Sequence, residues 1–284
     1  MSRQDTTDAR VLPSTSTRVS LCRALGVCRT IGAMSATQID VGGYKLAAEI
    51  TGDGAPTVVF SSGLGDAGEA WEATIAALKS SVQLVTYARA GIGDSDSLAD
   101  STPRSFGAVA EELHRLLAAA DITGPYVVVG HSIGAAIAQV FAAQWPQEVA
   151  GLVLVDPSDV QLYLDIEKPK LVMPDGDRDD HASFDVKLGA EDAAASRRSL
   201  NMPSVVVTSR VGRWLESKTP DLWRPFSLDA VDKRWQSGHQ ALAADLGAMQ
   251  KVAEVGGHYV QNDQPELVAA AIDEVVQLAA RPSL

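Results

Sequence analysis

From Thr37 onward, apolar residues fall into short blocks that alternate between strand-like runs and helical spacing. "TQIDVGGYKLAAEITG" (37–52) predicts two short strands joined in a hairpin at Gly42 and Gly43. "PTVVFSSG" (56–63) is an apolar strand closing on small residues, and "AGEAWEATIAALKS" (67–80) follows with a helical pattern. "VQLVTYARAGIGDSD" (82–96) is a strand running into a glycine-rich loop, and "SFGAVAEELHRLLAAA" (105–120) carries apolar residues at helical spacing. Then come the strand "PYVVVG" (125–130), the helix "AAIAQVFAAQWP" stopped by Pro146, and the strand "AGLVLVD" (150–156). "SVVVTS" (204–209) and "KVAEV" (251–255) read as further strands, and "QPELVAAAIDEVVQLAARP" (264–282) as the last helix. Strands that are continuous apolar runs, alternating with helices, predict an α/β fold: a mostly parallel twisted sheet with helices on both faces and an antiparallel leading edge. The alternation breaks between Pro157 and Met202, a charged and only partly helical stretch too long for an ordinary connection. Its place between two strands predicts a short lid insertion, about 157–202, over their carboxyl ends.

The junction "VVVGHSIGAAIA" (127–138) changes from strand to helix within a few residues and places Ser132 between Gly130 and Gly134. The pattern G-x-S-x-G is common enough to arise by chance, but a buried strand before it and a small-residue helix after it are not. Together they describe a nucleophile elbow, a strained turn that only small flanking residues permit. Such a turn exposes the Ser132 hydroxyl above the sheet and sets the Ile133 amide at a helix N-terminus, where it can stabilise an oxyanion. A serine hydroxyl is a poor nucleophile until a base takes its proton. Of the five histidines, His114 falls in an amphipathic helix, His131 within the elbow, His181 in the insertion and His239 on a late helix. His258, in "EVGGHYVQNDQPELV", follows a strand and two glycines and so stands on a loop at a strand end.

With these residues in place the chain resembles the α/β-hydrolases from about Thr37 to its C-terminus. The likeness is carried by "VVFSSGLGDAGEAW", "YARAGIGDSD", "VVVGHSIGAAIAQVFAAQWPQEVAGLVLVD" and "GGHYVQNDQPELVAAAI". The resemblance implies a serine esterase or lipase-like enzyme with a Ser-Asp/Glu-His triad and a second oxyanion amide after the third strand. Where the family usually has His-Gly, this chain has Ser62-Gly63-Leu64-Gly65, so the Leu64 amide takes that role. Arg89 matches a residue that braces backbone in the family, and Ala90 replaces a frequent glycine. The acid is the open position. The usual G-x-x-D after "SVVVTS" is missing, since the residues there read "RVGRWLESKTPDLW". Asp156, ending "GLVLVDPS", is the expected acid and Glu216 the alternative; a strand-end cap is the bland role for Asp156.

The activity implied is cleavage of a carboxylic ester, or of a related lactone or amide, in a small molecule through an acyl-enzyme, without metal or cofactor. Serine at the elbow argues against dehalogenase and epoxide hydrolase chemistry, which use aspartate there. Perhydrolases and C–C hydrolases share the triad, and a hydrolase-like protein that binds a ligand without turnover is the alternative from another class. Apolar insertion residues Leu162, Tyr163, Leu164, Leu171, Val172, Met173 and Phe184 serve either an acyl pocket or local packing. "DGDRDD" (175–180) lacks the spacing of a calcium loop.

Length and charge narrow the picture further. The chain has 284 residues, 46% of them hydrophobic, enough for one large domain. A formal net charge of −12 opposes nucleic acid or an anionic membrane as partner. No apolar run reaches the roughly 18 residues of a membrane span. Residues 1–36 lack any strand pattern and predict an N-terminal extension without structure, with Met34 a possible start. "VSLCRALGVC" is interrupted by Arg23 and makes a poor signal peptide, so a cytoplasmic protein is expected, with secretion the alternative. Cys22 and Cys28, alone and close together, define neither a metal site nor a disulfide framework.

Overall fold

Eight strands make one sheet in the order β1-β2-β4-β3-β5-β6-β7-β8. They span Thr37–Asp40 (β1), Lys45–Thr51 (β2), Thr57–Ser61 (β3), Leu84–Tyr87 (β4), Tyr126–His131 (β5), Val149–Val155 (β6), Ser204–Thr208 (β7) and Met249–Val252 (β8). The computed structural model describes residues 36–99, 103–166, 184–198 and 200–281. Cys22, Cys28, His181, Leu171, Val172, Met173 and the stretch 175–180 lie outside the described residues, as do 1–35. β2 pairs antiparallel with β1 and β4, and every pairing from β4 to β8 is parallel. The hairpin closes at Gly42 and Gly43, whose amides both donate to the Asp40 carboxylate.

The central strands are apolar throughout because each face of the sheet is covered. Val128, Leu152, Leu154 and Val206 pack into one core with Phe106, Leu113, Ile137 and Phe141 of helices α2 (Phe106–Ala119) and α3 (Ile133–Gln144). Their neighbours Val127, Val129, Val153, Val155, Val205 and Val207 point the other way, against Trp71 and helix α8 (Pro265–Ala279). Alternating side chains thus serve two layers, and each fully buried valine or leucine stabilises the fold by about 1.5–3 kcal/mol.

Two elements differ from the sequence pattern. The helix expected over 67–80 is a 3-10 turn at Gly68–Trp71 followed by the short α1, Glu72–Ala77, which ends where Leu78 turns extended. β8 begins two residues before the apolar run and ends at Val252, as an edge strand with one partner. Within the expected insertion, α4 (Val160–Asp165) and α5 (Val186–Ala195) are described and 167–183 are not. Leu162 packs with Trp214, Val231 and Trp235, whereas Phe184 joins the α2 core edge-on to Phe106. Both are buried packing residues; Tyr163 and Leu164 are half-buried. The remaining α-helices among the described residues are α6 (Leu228–Leu246) and α7 (Val260–Asp263). No helix among the described residues is long and apolar enough to cross a membrane.

Candidate active site

The carboxyl ends of the parallel strands β3, β5, β6, β7 and β8 face one edge, where connecting loops converge. β5 ends at His131, Ser132 takes φ 55° and ψ −122°, and α3 starts at Ile133. A left-handed φ at a residue with a side chain is strained, and the surrounding packing imposes it. Neither flanking glycine tolerates replacement. A Cβ on Gly130 would lie 2.4 Å from the Gly134 carbonyl oxygen, and one on Gly134 within 2.3 Å of the Ser61 and Ser62 carbonyl oxygens.

Ser132 Oγ stands 2.8 Å from His258 Nε2, and His258 Nδ1 stands 2.7 Å from Asp156 Oδ2. Asp156 directly follows the last residue of β6, is fully buried and has a positive φ of 41°, as Ser132 also has a positive φ. Its Oδ1 accepts from the Ser209 amide and from Trp235 Nε1, each at 2.8 Å, and Arg213 lies 3.1 Å from Oδ2. Arg213 is held over Trp214 and Trp235, 3.8 and 4.7 Å from their ring centres. Burial alone would push the Asp156 carboxyl up, yet the His258 hydrogen bond and the Arg213 guanidinium hold it well below the usual carboxylate range. An anionic Asp156 accepts only, so His258 carries its proton on Nδ1 and presents a lone pair at Nε2 to the serine hydroxyl.

Glu216 is placed elsewhere. It pairs with Arg210 at 2.5 Å, with its side chain 72% exposed. His114 stacks on Trp145 and pairs with Glu148 on the far side of α2. His131 and His239 brace the site instead. His131 Nε2 donates to the His258 carbonyl at 2.9 Å, and burial pushes the His131 pKa down to about 3. His239 Nε2 donates to the Pro157 carbonyl at 2.7 Å, and burial lowers its pKa as well. The loop holding His258 is further fixed by the Gly257 amide, which donates to Asp263 at 2.7 Å.

The loop after β3 is closed by Ser62, whose hydroxyl donates to the Ala67 carbonyl at 2.8 Å and accepts from Trp71 Nε1 at 3.0 Å. Buried Arg89 donates to the carbonyls of Ser62 and Gly63 at 2.7 and 2.5 Å, so it braces backbone. The Leu64 and Ile133 amides have no hydrogen-bond partner among the described residues. Two such amides, one of them at a helix N-terminus, can receive a developing oxyanion.

Sequence reasoning missed Ser158, Ser209, Arg213 and Trp235. Only the fold brings them to the strand tips, and no local pattern marks them. An open cavity of about 620 Å³, bounded by Arg210, Arg213, Trp214, Glu216, Val255 and Asp263, adjoins the Arg213 side of the His258 loop, and Ser132 does not line it.

Comparison with known proteins agrees with this architecture. Residues 56–234 match the family model for the alpha/beta hydrolase fold. The chain is similar to Uncharacterized protein YqjL of Bacillus subtilis (strain 168), 30% identical over 238 residues, covering 79% of this chain and 85% of that one. Among solved structures it is similar to a thermophilic esterase from Thermogutta terrifontis, malate bound, with a TM-score of 0.63 at 18% identity over 87% of this chain and all of that one. Est1E from Butyrivibrio proteoclasticus, with ferulic acid bound, also aligns at a TM-score of 0.63, with 15% identity over 87% of this chain and all of the other. At these identities the two likenesses concern the fold alone. The family model spans well over half of the chain, and the chain belongs to the alpha/beta hydrolase fold family.

Proposed function

We propose that this hydrolase cleaves a carboxylic ester, or a related lactone or amide, of a small molecule through a Ser132–His258–Asp156 triad. The observation that carries the reading is the unbroken chain of hydrogen bonds, 2.8 Å from Ser132 to His258 and 2.7 Å from His258 to Asp156, built on a strained elbow. Ser132 Oγ attacks the acyl carbonyl while His258 Nε2 takes its proton, and the carbonyl electrons collect on an oxyanion facing the Leu64 and Ile133 amides. His258 returns the proton to the departing alcohol. Water, deprotonated by His258, then attacks the acyl-enzyme and releases the acid. Asp156 keeps the ring in the required tautomer and stabilises the imidazolium. The insertion between β6 and β7, of which α4 and α5 are described, is read as the lid over the acyl site.

Initial rates on p-nitrophenyl esters from acetate to palmitate, with Ser132→Ala beside the wild type, test this reading. Turnover that falls by roughly 10³-fold or more in the variant is expected, with one ester length preferred. Turnover that survives the substitution would remove Ser132 from the mechanism.

A further inference from the structure

Ser132 Oγ has a second partner besides His258. Ser158, two residues beyond Asp156, places its hydroxyl 3.2 Å from Ser132 Oγ and donates its amide to the Ser132 carbonyl at 3.1 Å. The two serines are therefore locked together through both main chain and side chain. The segment that follows Ser158 is fixed to α6: Asp159 and Asp165 both bind Arg234, at 2.9 and 2.7 Å.

Proton bookkeeping fixes the direction of the Ser158 contact. His258 Nδ1 donates to Asp156, so Nε2 accepts, and Ser132 has to spend its single hydroxyl proton on Nε2. In the Ser132–Ser158 contact the proton then comes from Ser158. The result is a one-way chain from Ser158 through Ser132 to His258, with the donor aimed at the reacting oxygen.

We propose that Ser158 is a further catalytic residue, a hydrogen-bond donor to Ser132 Oγ that acts chiefly in deacylation. The inference rests on Ser132 being the nucleophile. Before acylation Oγ is a hydroxyl oxygen and a good acceptor, so the Ser158 bond is already made and contributes little to the barrier. In the acyl-enzyme Oγ is an ester oxygen, a much poorer acceptor. When the second tetrahedral intermediate collapses, the C–Oγ bond breaks, its electron pair moves onto Oγ, and His258 returns to Oγ the proton it took from water. Charge grows on Oγ during that step, and the Ser158 bond strengthens with it. Only an interaction stronger in the transition state than in the preceding ground state accelerates a step, so the gain falls mainly on deacylation.

The test is stopped-flow release of nitrophenolate from the best p-nitrophenyl ester, comparing wild type with Ser158→Ala, Ser158→Thr and Ser132→Ala. Ser158→Ala is expected to lower kcat about tenfold, as loss of a hydrogen bond to a charged oxygen does, and to lower KM in parallel. kcat/KM, which reports acylation, should stay within about twofold, and a burst near one nitrophenolate per site should appear or grow. Ser158→Thr keeps the donor and should restore kcat. A fall in kcat and kcat/KM together without a larger burst would assign Ser158 a purely structural role and overturn the proposal, as would unchanged kinetics. Turnover that survives in Ser132→Ala, or a wild type that forms no acyl-enzyme on Ser132, would overturn the underlying reading instead.

Discussion

The tips of β6 and β7 lie side by side and both border the His258 loop, yet they carry opposite chemistry. β6 ends in a buried carboxylate, Asp156. β7 ends in donors: the Ser209 amide, Arg213 in the turn beyond it and, from the helix that follows, Trp235 Nε1. The acceptor on one tip is useless without the donors on the other. A buried carboxylate with no partners would be driven toward its neutral form, and a protonated Asp156 could not orient the imidazole. The acid of a triad at this edge can therefore stand on either strand, provided the neighbouring tip becomes its cradle. In this chain the residues after β7 form that cradle, and the one acid among those nearest, Glu216, is spent on Arg210 at the surface.

The hardest way to break this comparison is to remove the charge at β6 and keep its shape. Asp156→Asn should lower kcat by about 10³- to 10⁴-fold, because an amide facing Nδ1 favours the wrong imidazole tautomer. The Ser209 and Trp235 donors still find the side-chain oxygen, so the fold should persist. Steady-state kinetics with the thermal midpoint measured alongside separate the two effects. A loss of tenfold or less would mean that β6 does not carry the acid.

The difference between the tips also marks what could be read from the sequence. The succession of strands and helices, the elbow and the loop of His258 were legible because each has a local signature: apolar runs, paired glycines, small residues after a strand. Asp156 was legible only as a carboxylate ending an apolar strand, which a simple cap would match equally well. Its cradle was not legible at all. Trp235 and Asp156 are 79 residues apart, and Ser209 and Asp156 are 53 apart, so their bonds exist only once β6 and β7 have paired. The helix expected at 67–80 was overrated for a related reason. Its composition favours helix, but Trp71 is drawn inward against Phe60 and Ser62, and only Glu72–Ala77 completes α-helical turns.

A smaller perturbation acts on the joint between the tips. His239 reaches both: Nε2 donates to the carbonyl of Pro157 just beyond β6, and Nδ1 lies 3.2 Å from Thr208 Oγ1 at the end of β7. Burial lowers its pKa below the ordinary 6.5, so the folded protein refuses a proton that the unfolded chain accepts. Stability is then fully present above pH 6.5 and is lost as pH falls below it, by up to about 1.4 kcal/mol per pH unit for one histidine. His131, with a folded pKa of about 3, adds a second loss of the same sign. Asp66, raised by burial, works in the opposite sense, and Asp156, being lowered, contributes a loss only below the ordinary carboxylate value of 3.8. Urea titrations from pH 7.5 to 5 on wild type and His239→Gln isolate the His239 share. The variant should be less stable at pH 7.5 and should have a slope shallower by about one proton. Equal slopes would mean that His239 charges freely in the folded state.

The smallest expected effect is the sharpest check on the comparison. Glu216→Gln removes the carboxylate in the turn after β7, and kcat and kcat/KM should stay within about twofold of wild type, since an exposed ion pair contributes about 0–1 kcal/mol. The pair with Arg210 is solvent-facing on the glutamate side. Steady-state rates on the same ester across pH 5 to 9 are the measurement, taken beside Asp156→Asn. If Asp156→Asn is crippled and Glu216→Gln is not, the acid stands on β6 and β7 is its donor. If the two variants fall alike, His258 draws on both carboxylates. If only Glu216→Gln falls, the loop after β7 swings Glu216 inward during turnover, and the cradle around Asp156 is a resting arrangement that catalysis replaces.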